Sequence, residues 1–381
     1  MKKLFALVLS LALLAACSVD ISNIPTPAPN NSPPASPTAA PSPSGPTPEA
    51  SPIAIAPTAP SSDAPAWASL DLTGRILFTQ AQQGVWELDL ATGAVEAIFI
   101  PPDTTNAWVN ATTASPDGQQ LVIAYAPPPK AGEVQFGYTD LYQLPADGAA
   151  PPQPFLERQD RRESLFNPEW SPDGQHLYYA HLKRIAVPGA NPPQYKFQYD
   201  IERVSVSGGQ VEIIAQNAYW PRLSADGQRL VYVSFSEDFF GNFLFVADAD
   251  GKNAQQVPGG EQFQAIDAPL FSPDGNSILF SAVSGGAAEA DSALAWIDWL
   301  TGVQVASAHN VPSDWWMIPA TGGEAKQITK IFDVGLYGDF APDGRHMAFI
   351  SLDGLLVMTP DGQNMTTLLK QGAYGTVDWT R

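Results

Sequence analysis

The chain has 381 residues, 44% of them hydrophobic and 10% aromatic, with 37 prolines, 30 glycines and a formal net charge of −20. The apolar content is enough for a sizeable core, and the acidic balance argues against nucleic acid and against an electrostatic grip on anionic lipid. A single cysteine, Cys17, excludes an intramolecular disulfide.

Residues 1–16 carry Lys2-Lys3, then an apolar run from Leu4 to Ala16, and lead into Leu14-Ala15-Ala16-Cys17. A basic end, a short apolar core and small residues make a secretory signal, too short for a spanning helix. The Leu-Ala-Ala-Cys string resembles the lipobox of bacterial lipoproteins. That resemblance implies cleavage before Cys17, acylation of its sulfur and an extracytoplasmic protein anchored by lipid to the cell membrane. Residues 17–66 follow as a tether. From 18 to 66 the chain holds 14 of the 37 prolines with many Ala, Ser and Thr, and no aromatic residue, Lys or Arg. Such a segment buries too little apolar area to offset its ordering entropy, so it reads as disordered and partly polyproline, reaching ~150 Å at about 3.1 Å per residue.

From Trp67 to Arg381 the composition changes to alternating apolar residues, aromatics and glycine turns. One turn recurs: Ser115-Pro116-Asp117-Gly118, Ser171-Pro172-Asp173-Gly174, Ser224-Ala225-Asp226-Gly227, Ser272-Pro273-Asp274-Gly275 and Ala341-Pro342-Asp343-Gly344. Each is followed two residues on by an apolar run, such as Leu121 to Tyr125 or Ile278 to Ser281. Proline sets φ at the first central position, aspartate accepts from the backbone ahead of it and glycine closes the turn. Asp71-Leu72-Thr73-Gly74 reads as a degenerate sixth copy. A second series of glycine turns, at Gly93, Gly148, Gly209, Gly251, Gly323 and Gly362, alternates with the first. Repeats of roughly 40 to 70 residues with four short strands each are the signature of propeller blades.

The expected architecture is therefore all-β: a six-bladed propeller of four-stranded antiparallel blades. Blade 1 takes its second strand from about Arg75, its third over Val85 to Leu90 and its fourth over Val95 to Ile100. The later blades begin near Ala107, Leu165, Ala218, Ile266 and Leu336. Blade 1 has no first strand of its own, and Tyr374 to Thr380 has no blade after it, so the C-terminal strand is expected to close the ring. Glu157–Glu163 and Arg184–Tyr195 read as rim loops. The largest departure is an insertion at about 284–313, where Leu294, Ile297 and Leu300, beside Ala293 and Trp296, suit one short amphipathic helix.

The Ser-Pro-Asp-Gly turn with its following strand, then Ala247-Asp248-Ala249-Asp250-Gly251, resembles the repeat of the TolB-like propellers, also called WD40-like PD40 repeats. The resemblance covers about residues 70–381. It implies a six-bladed ring used for protein contacts in the bacterial envelope, or the propeller half of prolyl-oligopeptidase-type peptidases. The peptidases need a nucleophile elbow, and Gly-x-Ser-x-Gly occurs nowhere.

A search for chemistry yields little. His176, His181, His309 and His346 lack metal-ligand spacing, the turn aspartates are read as satisfying backbone N–H groups, and Asp248 to Asn253 is read as a hairpin turn because a calcium loop's twelfth-position glutamate is replaced by Gly259. No catalytic, metal or cofactor residues are assigned. Trp170, Phe271 and Phe340, each just before its turn, mark a packing position between blades. Trp296, Trp299, Trp315 and Trp316 are the candidate partner contacts, since aromatics near a rim can stack on a sugar or anchor a protein. The expectation is a monomeric, non-catalytic binding module for an envelope protein or polysaccharide. The alternative is a glycan- or peptide-processing enzyme, or a solute-binding module, with acids gathered at the mouth of the central channel.

Overall fold

The computed structural model describes residues 57, 65–80, 83–129, 138–190, 193–235, 242–263, 265–283, 312–370 and 375–381. The chain divides into two units, Met1–Pro52 and Ile53–Arg381. Cys17, almost all of the tether, and the insertion with Trp296 and Trp299 lie outside the described residues.

The second unit contains six four-stranded antiparallel sheets, the blades of a propeller. With strands lettered a to d from the axis outward, blade 1 is Val377–Thr380, Arg75–Gln80, Gly84–Asp89 and Val95–Phe99, and blade 2 is Trp108–Ala114, Gln120–Ala126, Asp140–Pro145 and Gln153–Leu156. Blade 3 is Ser164–Trp170, His176–Ala186, Tyr195–Ser205 and Glu212–Gln216; blade 4 is Ala218–Leu223, Arg229–Phe235, Asn242–Asp248 and Gln255–Gln256. Blade 5 is Ile266–Phe271, Ser277–Val283, Ser313–Pro319 and Lys326–Gln327; blade 6 is Tyr337–Phe340, Met347–Ser351, Gly354–Met358 and Thr366–Leu369.

Each strand b is covered on both faces by neighbouring blades, which is why it reads as an unbroken apolar run: Ile278, Leu279, Phe280, Ser281 and Ala282 are all buried. Strand d faces solvent, so Glu212–Gln216 has no buried residue. Trp86, Trp315, Tyr179, Phe78, Phe280 and Phe349 are the bulkiest fully buried side chains.

The a–b turns form as their chemistry requires. In blade 3, Ser171 Oγ donates to Asp173 Oδ1 at 2.6 Å, His176 N donates to Ser171 Oγ at 2.9 Å, and Gln175 N donates to Asp173 Oδ1 at 2.9 Å. The same aspartate bond recurs at Asp117, Asp226, Asp274 and Asp343. These bonds, led by the one from Ser272, pull the Asp274 carboxyl down to about 2. Glycine is required at the last position, where φ is +68° to +71°.

Two expectations need correction. Asp71 to Gly74 is not an a–b turn, because strand a of blade 1 arrives from the other end of the chain. Gly74 instead lies against that strand, and a Cβ there would stand 2.1 Å from the Thr380 carbonyl oxygen. The proline-rich stretch from Arg184 to Tyr195 is not wholly loop either: strand b continues to Ala186 and strand c resumes at Tyr195. Apolar and aromatic residues on both sides extend that hairpin past its proline turn.

The C-terminal strand closes the ring, pairing Val377–Thr380 with Arg75 to Phe78. Thr376 reinforces the closure: its N–H donates to Thr79 Oγ1 at 2.8 Å and its Oγ1 accepts from Thr112 N at 2.8 Å. Gly375 makes this approach possible, at φ +141° and with Thr79 Oγ1 only 1.7 Å from where a Cβ would sit. Gly375→Ala is expected to cost about 2–3 kcal/mol through strain and displacement of Thr79, read as a lower urea midpoint at unchanged m.

Because consecutive strands reverse direction, the a–b and c–d turns lie on one face of the ring, and the b–c and d–a connections on the other. We call these the turn face and the loop face. The turn face is nearly uniform. On the loop face the b–c connection runs from two residues in blade 6 (352–353) to 29 in blade 5 (284–312).

Candidate functional site

One register position organises the axis. The residue two before each a–b turn, and its counterpart in the closing strand, is Asp378, Thr113, Glu169, Arg222, Leu270 and Asp339 in blades 1 to 6, each paired at the equivalent place on its strand b. Side-chain alternation sets all six on the same side of their blades, beside the inner edge of the next. They line one cavity of about 300 Å³ that opens on the turn face between Pro116, Pro172, Pro273 and Pro342.

The acids in this ring staple neighbouring blades. The innermost strand of a blade has no further strand to satisfy its inward N–H groups. Asp378 Oδ2 accepts from Ala114 N of blade 2 at 2.7 Å, Glu169 Oε1 from Leu223 N of blade 4 at 3.4 Å, and Asp339 Oδ2 from Trp379 N of blade 1 at 2.9 Å. Arg222 ties the group together across the axis, with Nη2 at 2.6 Å from Asp339 Oδ1 and Nε at 3.6 Å from Glu169 Oε2.

Three carboxyls thus share one guanidinium in a half-closed space. Burial, assisted by Asp339 and Asp378 and only partly opposed by Arg222, pushes Glu169 up to about 7. Burial and then the charge of Asp339 push Asp378 up to about 7 as well. For Arg222 burial works against the charge, but Glu169, Asp339 and Asp378 outweigh it and hold the group above its ordinary value.

Toward the loop face the axis is filled. Trp220 packs its ring 5.0 Å from that of Tyr337, and its Nε1 donates to Asp267 Oδ1 at 3.2 Å. Tyr219 OH donates to the same oxygen at 3.1 Å. Asp267 is buried enough that these bonds do not compensate, and its carboxyl is pushed up to about 8. Trp220 holds a left-handed backbone at φ +58°, beside the strand-a bulge that turns its indole into the axis.

These shifts fix a pH dependence. A carboxyl raised in the folded state binds more protons there than when unfolded, so its stabilising contribution is fully present below about pH 4 and is lost as pH climbs through 7 to 8. Glu202 works the other way. Its burial raises it, but hydrogen bonds from His181, Lys183 and Tyr179 win and hold it down to about 2, a contribution lost only as pH falls through that value. The melting temperature is expected to be highest in mildly acidic buffer and to decline from about pH 5 to 8. Glu169→Gln with Asp378→Asn should flatten that slope in a pH series of thermal melts.

Of the four aromatic residues proposed from sequence, Trp296 and Trp299 lie outside the described residues. Trp315 and Trp316 sit on strand c of blade 5. Trp315 is fully buried, with its ring 6.1 Å from Phe349 of the next blade, and is therefore a core residue rather than a contact. Trp316 is partly buried against Phe263 at 4.9 Å. Their neighbours in sequence, Ser313 and Asp314, tie down the start of the strand, which is why the pair belongs to the repeat and not to the insertion. His176 and His346 occupy equivalent places after their turns, and His181 lies with Nδ1 3.0 Å from Glu202 Oε2. Among the described residues no group of three or more His, Cys, Asp or Glu is arranged to hold a metal ion. Also among the described residues, no helix is long and apolar enough to cross a membrane.

Comparison with sequence-family models and with curated proteins finds no match. Solved structures share the fold at low identity. A TolB from Agrobacterium tumefaciens is 18% identical over 80% of this chain and 92% of its own, with a TM-score of 0.50. TolB from Acinetobacter baumannii is 15% identical over 81% of this chain and 67% of its own, at 0.53. A chain of the nidogen/laminin complex is 10% identical over 80% and 97%, at 0.52. The second unit, a six-bladed propeller, shares its fold with these TolB structures.

Proposed function

We propose that this chain is a non-catalytic cell-envelope lipoprotein, anchored through Cys17, whose propeller holds a protein or polymer partner on its loop face. The observation that carries the reading is the division of the ring. Short, self-bonded turns occupy one face, and all the large variation in connection length lies on the other, where loops set on a rigid scaffold commonly carry recognition. The mouth acids support it too, because each is committed to a backbone N–H of the adjacent blade. Trp296 and Trp299 in the insertion remain the proposed aromatic contacts.

The test is crosslinking of the lipoprotein on intact cells, with and without residues 285–312, followed by mass spectrometry of what is captured. A partner lost with the deletion, while the melting temperature holds, supports the reading; capture unchanged by the deletion contradicts it. A second experiment addresses the anchor: Cys17→Ser should move the protein from the membrane fraction to the soluble one.

One observation favours a second reading, an enzyme working at the mouth. Glu169 and Asp378, both near 7, could exchange protons at neutral pH. Glu169→Gln and Asp378→Asn, assayed on glycan and peptide panels, decide it; a turnover abolished by either change would favour the enzyme.

A further inference from the structure

Apolar side chains left on the surface are not spread evenly over the ring. Eight large ones are exposed among the described residues, and five of them stand at the loop face. Ile100 opens the connection from blade 1 to blade 2, Val187 and Tyr195 flank the b–c tip of blade 3, Phe332 lies between blades 5 and 6, and Leu352 is in the b–c turn of blade 6. The turn-face connections hold Val211 and Met365, and Ile213 is on an outer strand.

Blade 3 lifts its pair clear of the ring. Strands b and c are each 11 residues long, and Lys183 to Ala186 pair with Gln198 to Tyr195 beyond the reach of strands a and d, so this two-stranded ribbon projects ~13 Å at about 3.3 Å per residue. From Ile185 to Tyr195 the sequence contains no charged residue. Below that tip the stem is fixed by Lys183, 2.9 Å from Asp200 Oδ2, and by the Arg184 guanidinium stacked 3.3 Å over the Tyr195 ring.

Phe332 is held in a strained place. Its backbone is left-handed, at φ +50°, a region that a bulky side chain enters only when its surroundings impose it. The buried Asp314 imposes it here, since Oδ1 accepts from Ile331 N at 2.6 Å and from Phe332 N at 3.2 Å. The result is a phenyl ring 53% exposed on a fixed turn.

These tips come from four different blades, so a surface that meets them together is broad and flat rather than a groove filled at one blade. Charge does not oppose such a surface on this face. Arg161, Arg162, Lys196, Lys330 and Lys370 are exposed in its connections and ribbon, against three acids among the described residues, whereas the turn face carries the aspartates of the a–b turns.

We infer that the loop face also rests on a lipid surface, with the uncharged ribbon tip, Tyr195, Phe332 and Leu352 entering the headgroup region. Aromatic rings favour that interface, and the apolar area buried there adds to what an acyl anchor supplies. The tether joins the ring on the turn face, where Trp67 Nε1 donates to Leu90 O at 3.0 Å, and its reach of ~150 Å is ample for the loop face to meet the membrane. The inference rests on the anchor at Cys17 and goes beyond the partner reading: a partner gripped by this face would be held at the membrane surface.

The test sediments the mature chain, residues 17–381 with Cys17→Ser so that neither leader nor acyl group contributes, with vesicles of phosphatidylcholine and about a quarter phosphatidylglycerol in about 0.15 M salt. Binding is expected at about millimolar lipid, too weak to survive the dilution of cell fractionation. Val187→Ser, Tyr195→Ser, Phe332→Gly and Leu352→Ser together should weaken it about tenfold or more. The melting temperature should hold, because all four side chains are exposed and glycine relieves the left-handed backbone. A second measurement does without these variants. Cys17 is the sole cysteine, so a polarity-sensitive dye can be placed at Val187→Cys or Leu352→Cys, where vesicles should shift its emission to the blue, and at Met365→Cys, where they should not. The inference is overturned by absence of binding, by binding indifferent to the four substitutions, or by a dye at residue 365 that shifts as far as those on the loop face. Where vesicles are ignored and the same substitutions abolish capture on intact cells, the tips serve a protein instead. The chain tested has no acyl group and no partner, so failure here leaves the Cys17 fractionation and the 285–312 deletion to be decided on their own.

Discussion

A chain ending at Gln371 is expected to lose the cooperative unfolding transition of the full chain, or to melt at least about 15 °C lower. The missing segment carries Val377 and Trp379, 2% and 5% exposed, whose burial is worth about 5–7 kcal/mol together. It also carries the bonds that join the ends of the chain. Trp379 Nε1 donates to Thr73 O at 2.9 Å, Trp379 N to Asp339 Oδ2, and Thr376 bonds both Thr79 and Thr112. At about 1 kcal/mol each, these bring the loss near the whole stability of an ordinary domain, about 5–15 kcal/mol. Blade 1 would be left with three strands and an open inner edge facing blade 6. Thermal melts followed by near-ultraviolet circular dichroism check this, and a truncated chain melting at the full-length temperature would refute closure by the C-terminal strand.

Replacing Arg222 with methionine is the second large effect. The guanidinium is the cation that Glu169, Asp339 and Asp378 share, and removing one partner from a buried ionic group costs about 3–5 kcal/mol. The loss should appear in full at pH 8, where Glu169 and Asp378 have lost their protons. It should shrink strongly by about pH 5, because Glu169 and Asp378 already protonate near 7 and would do so more readily without the arginine. Urea unfolding at the two pH values separates this from a packing defect, which would cost the same at both. Adding Glu169→Gln to Arg222→Met should recover part of the loss at pH 8.

What was legible in the sequence follows the range of the interactions. The Ser-Pro-Asp-Gly turns, the b strands after them and the closing strand could be read because their causes lie within a few residues or in alternation along one strand. The stapling acids could not. Asp378 serves Ala114 at a sequence separation of 264, and its role appears only when six strands a are laid side by side around an axis. A signal was nonetheless present, since the residue two before each turn is Thr, Glu, Arg, Leu or Asp, and charge at a position flanked by core residues asks for an explanation. One tryptophan misled in the opposite way. Trp315 neighbours the insertion in sequence yet belongs to a repeat strand, and an aromatic buried between two blades looks the same in sequence as one waiting for a partner.

The sharpest measurement compares partner capture on intact cells between two variants: deletion of residues 285–312, and Glu169→Gln with Asp378→Asn. If the propeller recognises its partner on the loop face, the deletion abolishes capture and the mouth variant leaves it intact. Capture that survives the deletion and disappears with the mouth variant would contradict the account and move the working site to the channel mouth.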